Sequence, residues 1–235
     1  MATGSTPASE KVFHNAPWVM ASANITFSML MMLVCSAVMG VPLYRDIEHQ
    51  TRQYLFSYPI TKFGYFWGRF IGSFVVVLVI GSAFNWGSIA GTSIGPIMGW
   101  VPAERIGSFG LWNYFQPYFY FAFGNMLLAS TIFFSLVAIT RNVKVVYSAS
   151  ILLLIGYLLA SFLVTDSEKR NLVKLLDPFM LNTFNLETRY FTPVEKNTLL
   201  LPFTKTIAYN RLIWLGISFI ITAIAYFKFS FFQFL

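Results

Sequence analysis

The sequence predicts an all-α membrane protein built as a bundle of five membrane-spanning helices. Of its 235 residues, 57% are hydrophobic and only 11% are charged, whereas soluble domains carry roughly 25% charged residues. Five apolar runs, separated by polar stretches, also approach or exceed the roughly 20 residues that a helix needs to cross a bilayer. The 26 Phe and 12 Tyr residues are typical of lipid-facing and interfacial surfaces.

The elements follow in order from these runs. Residues 1–16 are polar and predict a disordered lead. Pro17 is suited to the first turn of the first span. The stretch Arg141-Asn142-Val143-Lys144 leaves room only for a tight turn, so the third and fourth spans are expected to form an antiparallel hairpin. The spans are expected at about 18–42, 66–90, 117–140, 145–164 and 212–227, all within a transmembrane domain that covers residues 17–235.

A short amphipathic helix is expected at residues 43–58, between the first and second spans. One helical face collects apolar residues and the charged residues fall mostly on the rest, which is the pattern of a helix lying at a membrane surface. Pro59 ends this helix, because the residue before a proline avoids helical backbone. Thr61 is then expected to cap the second span. The apolar face comprises Leu43, Ile47, Tyr54, Leu55 and Tyr58.

Residues 165–207 form the one sizeable polar segment after the lead, and they predict two short helices on the membrane surface. Breaks are expected at Asp177-Pro178 and at Leu201-Pro202. Thr192-Pro193-Val194-Glu195 is a capping-box sequence with proline at the first helical position. Thr165 and Glu168 match a second capping box.

Polar and small residues inside the spans predict helix packing. Gly64, Gly68 and Gly72 recur every four residues, which makes a groove that another helix can approach closely. Arg69 is interpreted as an arginine that reaches the membrane interface, with a charge on a transport pathway as the alternative. Four amides are expected to form hydrogen bonds between helices rather than to contact a substrate. These amides are Asn24, Asn85, Gln116 and Asn125.

The composition and the missing motifs exclude several function classes. The net charge of +7 would suggest nucleic acid for a soluble protein, but here the basic residues are expected beside anionic lipid. With only His14 and His49 there is no His-Glu-x-x-His zinc site, and no lysine follows a glycine as in a phosphate-binding loop. The predicted spans hold no Asp or Glu for acid–base chemistry. We therefore expect no enzyme activity, no cofactor, no metal and no nucleic-acid partner.

Two groups of motifs point to a family. The first group follows the first span: Tyr44-Arg45-Asp46-Ile47-Glu48-His49, Ser57-Tyr58-Pro59-Ile60-Thr61-Lys62 and Gly68-Arg69-Phe70. The second group comprises Leu176-Asp177-Pro178-Phe179, Thr188-Arg189-Tyr190, Glu195-Lys196-Asn197-Thr198-Leu199-Leu200 and Asn210-Arg211-Leu212. With the first group the chain resembles the permease half of ABC-2 type exporters. With the second it resembles the bacterial proteins in which such a permease is fused to a zinc aminopeptidase.

The resemblance implies a topology. In that family each half has six spans, and the amphipathic stretch follows the second. The chain would then lack the first of the family's spans and the peptidase, as a fragment or late-start version of a longer protein. Residues 43–58 would be a cytoplasmic coupling helix, and residues 165–207 would be periplasmic, in a bacterial inner membrane. The basic residues do not support this orientation, since seven of the 16 fall on the side of residues 43–58 and nine on the other.

The resemblance also implies a function and partners. The chain would be the transmembrane subunit of an ABC-type transporter, which couples ATP hydrolysis by a separate ATPase subunit to export of a substrate that the sequence does not identify. Its partners would be the ATPase subunit, a second permease half (a second copy or a fused one) and membrane lipids. The alternative is a membrane anchor for an aminopeptidase, without transport. The residues expected to contact the ATPase are Arg45, Asp46, Glu48 and Arg52.

Overall fold

The computed structural model describes residues 12–49, 60–163 and 174–230. Over these residues the chain forms α-helices and short turns and contains no strand. The helices are α1 (Pro17–Glu48), α2 (Lys62–Ile94), α3 (Leu111–Pro117), α4 (Phe123–Thr140), α5 (Val143–Leu163), α6 (Leu181–Glu187), α7 (Pro193–Thr198) and α8 (Lys205–Lys228). A π-helical turn, Tyr118–Ala122, joins α3 to α4.

The all-α bundle predicted from composition is confirmed. Among the described residues, five helical units are long and apolar enough to cross a membrane: α1, α2, the α3–α4 unit over Leu111–Thr140, α5 and α8. In the α3–α4 unit, 67% of the most apolar segment is buried inside the bundle, and in α1 the buried share is 50%. In α5 only 11% of this segment is buried. Outer helices such as α5 therefore present their apolar side chains to the surroundings, as lipid-facing helices do.

Helices α1 and α4 form the centre of the bundle. They pack along each other, while α2 and α5 pack on α1 and α8 packs on α4. The main core cluster includes Met32, Cys35 and Met39 from α1 and Phe133 and Phe134 from α4, and all five are almost fully buried. Cys35 is therefore a packing residue of this core.

The predicted break between the first span and the amphipathic helix is absent. Helix α1 continues through Pro42 and ends at Glu48, so residues 43–48 extend the first span. Proline usually disturbs a helix because it lacks an N–H and crowds the preceding turn. Here Met39 and Leu43, on either side of Pro42, are both 0% exposed. Their packing holds the chain in the helical path. The rest of the predicted coupling helix, residues 50–58, lies outside the described residues.

Other spans are longer than predicted. Helix α2 begins at Lys62, and Thr61 caps it by accepting a hydrogen bond from the Gly64 N–H at 3.1 Å, as predicted. The third span begins at Leu111 and keeps Pro117 as the last residue of α3. The fifth span begins seven residues before the predicted start, at Lys205. The prediction began this span too late, after Asn210 and Arg211, but both residues are buried inside the bundle.

The predicted connections agree with the structure where it describes them. Arg141 adopts the left-handed conformation, with φ of 54°, and ends α4 directly before α5. In the segment 174–204 the chain leaves helical geometry at Asp177-Pro178 and again at Leu201-Pro202. The capping box of α7 is present, with both the Thr192 and the Glu195 bonds formed. The Thr165–Glu168 box and residues 1–11 of the lead lie outside the described residues.

Candidate functional site

The candidate coupling residues lie at the C-terminal end of α1, which we call the charged tip (Arg45, Asp46 and Glu48). Arg45 and Glu48 are exposed, whereas Asp46 is only 8% exposed. At a rise of 1.5 Å per residue, the 32 residues of α1 place this tip about 48 Å from Pro17. Arg52, the fourth predicted contact, lies outside the described residues.

Asp46 binds helix α2 instead of facing outward. Its Oδ2 accepts a hydrogen bond from the Tyr65 hydroxyl at 2.7 Å. The guanidinium of Arg69 lies 2.8 Å from Oδ1 and 2.7 Å from Oδ2, so the two groups form an ion pair. The Arg69 guanidinium also lies 5.8 Å from the centre of the Tyr65 ring. The prediction placed Asp46 among exposed contacts and Arg69 at the interface, but the structure joins them into a latch between α1 and α2.

The glycine series on α2 has no helix packed against it in the part of the chain that the structure describes. A methyl group built on Gly68 or Gly72 would meet nothing within 4 Å, and one on Gly64 would meet only the Oγ1 of its own capping residue, Thr61. The buried face of α2 is formed by other residues, including Phe66, Phe70 and Val77. The predicted close approach of a helix at Gly64, Gly68 and Gly72 therefore does not occur among the described residues.

Three of the four predicted amides connect helices, and the fourth binds a connecting segment. Asn24 of α1 donates from Nδ2 to Asn85 Oδ1 of α2 at 3.0 Å. Gln116 exchanges two hydrogen bonds with the backbone of Leu201, at 3.0 and 3.2 Å. Asn125 of α4 donates to Ser28 Oγ of α1 at 2.8 Å and to the Phe179 carbonyl at 3.0 Å. The interpretation as links between helices is confirmed for Asn24, Asn85 and Asn125, whereas Gln116 binds Leu201, which lies between helices rather than in one.

A buried cation on α8 was missed by the sequence analysis. Arg211 is 6% exposed. Its Nη1 donates to Asn125 Oδ1 at 2.9 Å, and its Nε lies 2.9 Å from the Met180 sulfur. Its Nη2 has no hydrogen-bond partner among the described residues. Gly124 makes room for this guanidinium, because a methyl group there would stand 2.7 Å from Nη1.

A carboxylate nearby fixes the segment that leads into α6. Asp177 accepts hydrogen bonds from the backbone N–H groups of Met180, Asn182 and Thr183 at 2.7–3.0 Å. It also accepts one from the Tyr157 hydroxyl at 2.8 Å. Asp177 thereby supports both the short helix α6 and its contact with α5.

Hydropathy could not reveal Arg211, because the buried face of α8 consists mostly of polar residues. Buried positions three, four or seven residues apart along the helix share one helical face. Asn210 belongs to the same face and donates to the carbonyls of Lys174, Leu175 and Asp177. The buried positions are Ile207, Asn210, Arg211, Ser218, Thr222 and Ala225.

The described residues contain no group of three or more His, Cys, Asp or Glu side chains placed to hold a metal ion. The chain matches no protein-family model, no curated protein and no solved structure. The candidate site is therefore the exposed pair Arg45 and Glu48 at the end of α1, a long helix that the Asp46–Arg69 ion pair holds to α2.

Proposed function

We propose that the chain is the transmembrane subunit of an ABC-type exporter and that the charged tip of α1 contacts a separate ATPase subunit. The motifs around Tyr44–His49 and Ser57–Lys62, which resemble those of ABC-2 type permeases, support this proposal. The single observation that carries it is the continuity of α1 from Pro17 to Glu48. A force applied at the tip acts directly on a membrane-spanning helix.

The latch between Asp46 and Arg69 would carry a movement of the charged tip from α1 to α2. Asp46 holds Tyr65 and Arg69 of α2 at the base of the tip, so a displacement of Glu48 moves α1 and α2 together. Helix α1 also packs on α4 at the centre of the bundle. The tilt of one helix would therefore change the packing of the whole bundle between two arrangements. ATP shifts such an equilibrium only if the ATPase binds the two arrangements with different affinity.

Within the charged tip, we assign different roles to the predicted contacts. Arg45 and Glu48 are exposed and would contact the ATPase, while Asp46 would transmit the movement to α2. Electrostatic complementarity at such a surface favours one partner and one docking orientation. Arg52 remains a proposed contact from the sequence.

The test is purification of the native complex from mild detergent, with identification of its subunits and measurement of MgATP hydrolysis. We expect an ATP-binding-cassette subunit to co-purify with the wild-type chain. The double exchange Arg45→Glu and Glu48→Lys should reduce its recovery about tenfold, because opposed charges replace matched ones. The matched control is Glu104→Lys with Arg189→Glu, which exchanges two exposed charges at the opposite end of the bundle.

Recovery of the ATPase should be unchanged in this control. Full retention of the ATPase by the Arg45–Glu48 exchange, with both proteins correctly inserted, would show that the tip is not the contact. A native complex without any ATP-hydrolysing subunit would reject the proposed function itself.

A further inference from the structure

A cavity of about 350 Å³ lies at the N-terminal end of α1, far from the charged tip. It is bounded by the segment before α1, the turn at Arg105 and the start of α7. Its walls combine aromatic rings with basic groups, and the described residues that line it include no Asp or Glu. The residues that define its chemistry are Phe13, His14, Trp18, Arg105, Phe191 and Lys196.

The walls of this cavity are fixed by hydrogen bonds. The Phe13 N–H donates to Asn197 Oδ1 at 2.9 Å, which ties the lead segment to α7. The His14 N–H donates to the Arg105 carbonyl at 2.9 Å. Asn15 exchanges two bonds with the backbone of Gly107, at 2.7 and 2.9 Å. The cavity is thus preformed, as small-molecule sites usually are.

Lys196 is the basic group best placed to meet a ligand. Its ammonium lies 4.3 Å from the centre of the Trp18 ring, and no carboxylate of the described residues forms an ion pair with it. The neighbouring Glu195 carboxylate is engaged by the N–H and hydroxyl of Thr192. Trp18 is itself oriented by the hydrogen bond from its Nε1 to Thr188 Oγ1, at 2.9 Å. The ammonium therefore keeps its three donors for an anion.

The position of the cavity at the end of a candidate membrane span favours a lipid headgroup over a free anion as its ligand. Trp18 lies in the first turn of a helix that is long enough to span a membrane, and tryptophan at such a place lies at the level of the lipid headgroups. Basic side chains at this depth bind acidic headgroups. The apolar wall, with Val19 and Pro193, suits the glycerol and upper acyl region that a free anion lacks.

We propose that this cavity binds the phosphate headgroup of an acidic membrane lipid, with Lys196 as the principal contact. Arg105 adds positive charge around the phosphate, His14 adds an imidazole N–H donor, and the rings of Phe13 and Phe191 flank the glycerol region. The site lies at the opposite end of α1 from Glu48, so it does not depend on the proposed ATPase contact.

The test is a titration of the full chain in neutral detergent with short-chain phosphatidic acid, followed by native mass spectrometry. Lys196→Met keeps the aliphatic stem over Trp18 and removes the charge. We expect the dissociation constant of this variant for phosphatidic acid to rise about tenfold, because one charge-assisted hydrogen bond is lost. Lys196→Arg should bind within about threefold of the wild type, since it keeps the charge.

Arg189→Gln is the matched control, because it removes an exposed cation that stacks on Tyr190 and does not line the cavity. It should leave the affinity unchanged. An equal loss in Arg189→Gln and Lys196→Met would mean attraction by the overall charge and would overturn the proposal. So would equal binding of phosphatidylcholine, or displacement of the lipid by inorganic phosphate at the same concentration. Thermal unfolding of each variant verifies that the chain remains folded. If Lys196→Met fails to fold, Lys196→Gln provides a second test, because it also removes the charge.

Discussion

At the scale of single residues, Gly124 and Arg211 depend on each other. The guanidinium of Arg211 occupies the space that a side chain at position 124 would take, 2.7 Å from the built methyl group. We expect Gly124→Ala to lower the free energy of unfolding by about 1–3 kcal/mol, the usual cost of overpacking, because Arg211 must move away from Asn125. Equilibrium unfolding in mixed micelles measures this change.

Gly216→Ala and Gly156→Ala provide the controls for Gly124→Ala. A methyl group at either position meets nothing within 4 Å, and alanine favours a helix over glycine by up to about 1 kcal/mol. Both variants should be as stable as the wild type or slightly more stable. If Gly124→Ala behaves like them, Arg211 does not require the space that the structure assigns to it.

The Asp46–Arg69 pair gives a second prediction at this scale. A double-mutant cycle with Asp46→Asn and Arg69→Gln should give a coupling energy of about 1 kcal/mol in the free energy of unfolding, because Arg69 is partly exposed and the ion pair is partly screened. A second cycle with Lys144→Gln and Asp46→Asn is the control. Lys144 is exposed and forms no ion pair within the described residues. The changes in the free energy of unfolding caused by Lys144→Gln and by Asp46→Asn should therefore be additive. A coupling energy near zero for Asp46 and Arg69 would show that the latch does not hold α1 to α2.

The sequence predicted some of these residues and not others for a physical reason. An amide within an apolar run must find a partner, so Asn24, Asn85 and Asn125 could be assigned to contacts between helices. The partners of a charge at the end of a run depend on tertiary geometry. Asp46 could face a partner protein or a neighbouring helix, and only the position of Arg69 on α2 distinguishes the two.

At the scale of elements, the capping box makes α7 sensitive to acid. Hydrogen bonds from the Thr192 backbone and hydroxyl to the Glu195 carboxylate lower the pKa of Glu195 below its ordinary value of 4.5. A carboxyl group whose pKa is lowered by folding stabilises the fold above its unfolded pKa and loses that contribution as pH falls through the folded pKa. We expect α7 to fray below about pH 4.5, detected as faster hydrogen exchange, relative to the intrinsic rate at each pH, at the amides of Lys196 and Leu199.

The variant Glu195→Gln separates this effect from general acid denaturation. A glutamine retains the capping geometry in part but does not titrate, so α7 should exchange somewhat faster at neutral pH and show no further change on acidification. Glu104→Gln, which alters an exposed carboxylate in another turn, should leave α7 as in the wild type. An identical acid response in Glu195→Gln and the wild type would assign the fraying to another group.

The bounds of the helices show where sequence patterns reach their limit. Thr61, Arg141 and Thr192 mark ends correctly because capping and left-handed turns are local properties. The end of α1 and the start of α8 are decided by packing across the bundle. Leu43 beyond Pro42, and Asn210 beside Arg211, are buried by helices far away in the sequence, and neither hydropathy nor proline placement contains that information.

At the scale of the whole molecule, α1 connects two chemically different ends. One end carries the exposed charges Arg45 and Glu48 above the latch, and the other carries the basic, aromatic cavity around Trp18 and Lys196. The central packing of α1 against α4 lies between them. If both proposals hold, a lipid at one end and an ATPase at the other act on the same helix, and their binding free energies would be coupled and reciprocal.

This arrangement predicts that the two ends of α1 lie on opposite sides of the membrane. Glu48→Cys and Tyr190→Cys place reporters at exposed positions near the two ends, and the native Cys35 is 0% exposed, so the natural chain is a suitable background. A membrane-impermeant maleimide added to intact cells should label Tyr190→Cys and not Glu48→Cys. After the membrane is permeabilised, Glu48→Cys should react as well, while the wild type stays unlabelled.

Labelling of both positions from the same side would mean that α1 does not span the bilayer. The reverse pattern would keep the bundle but place the charged tip where no ATPase has access to cellular ATP.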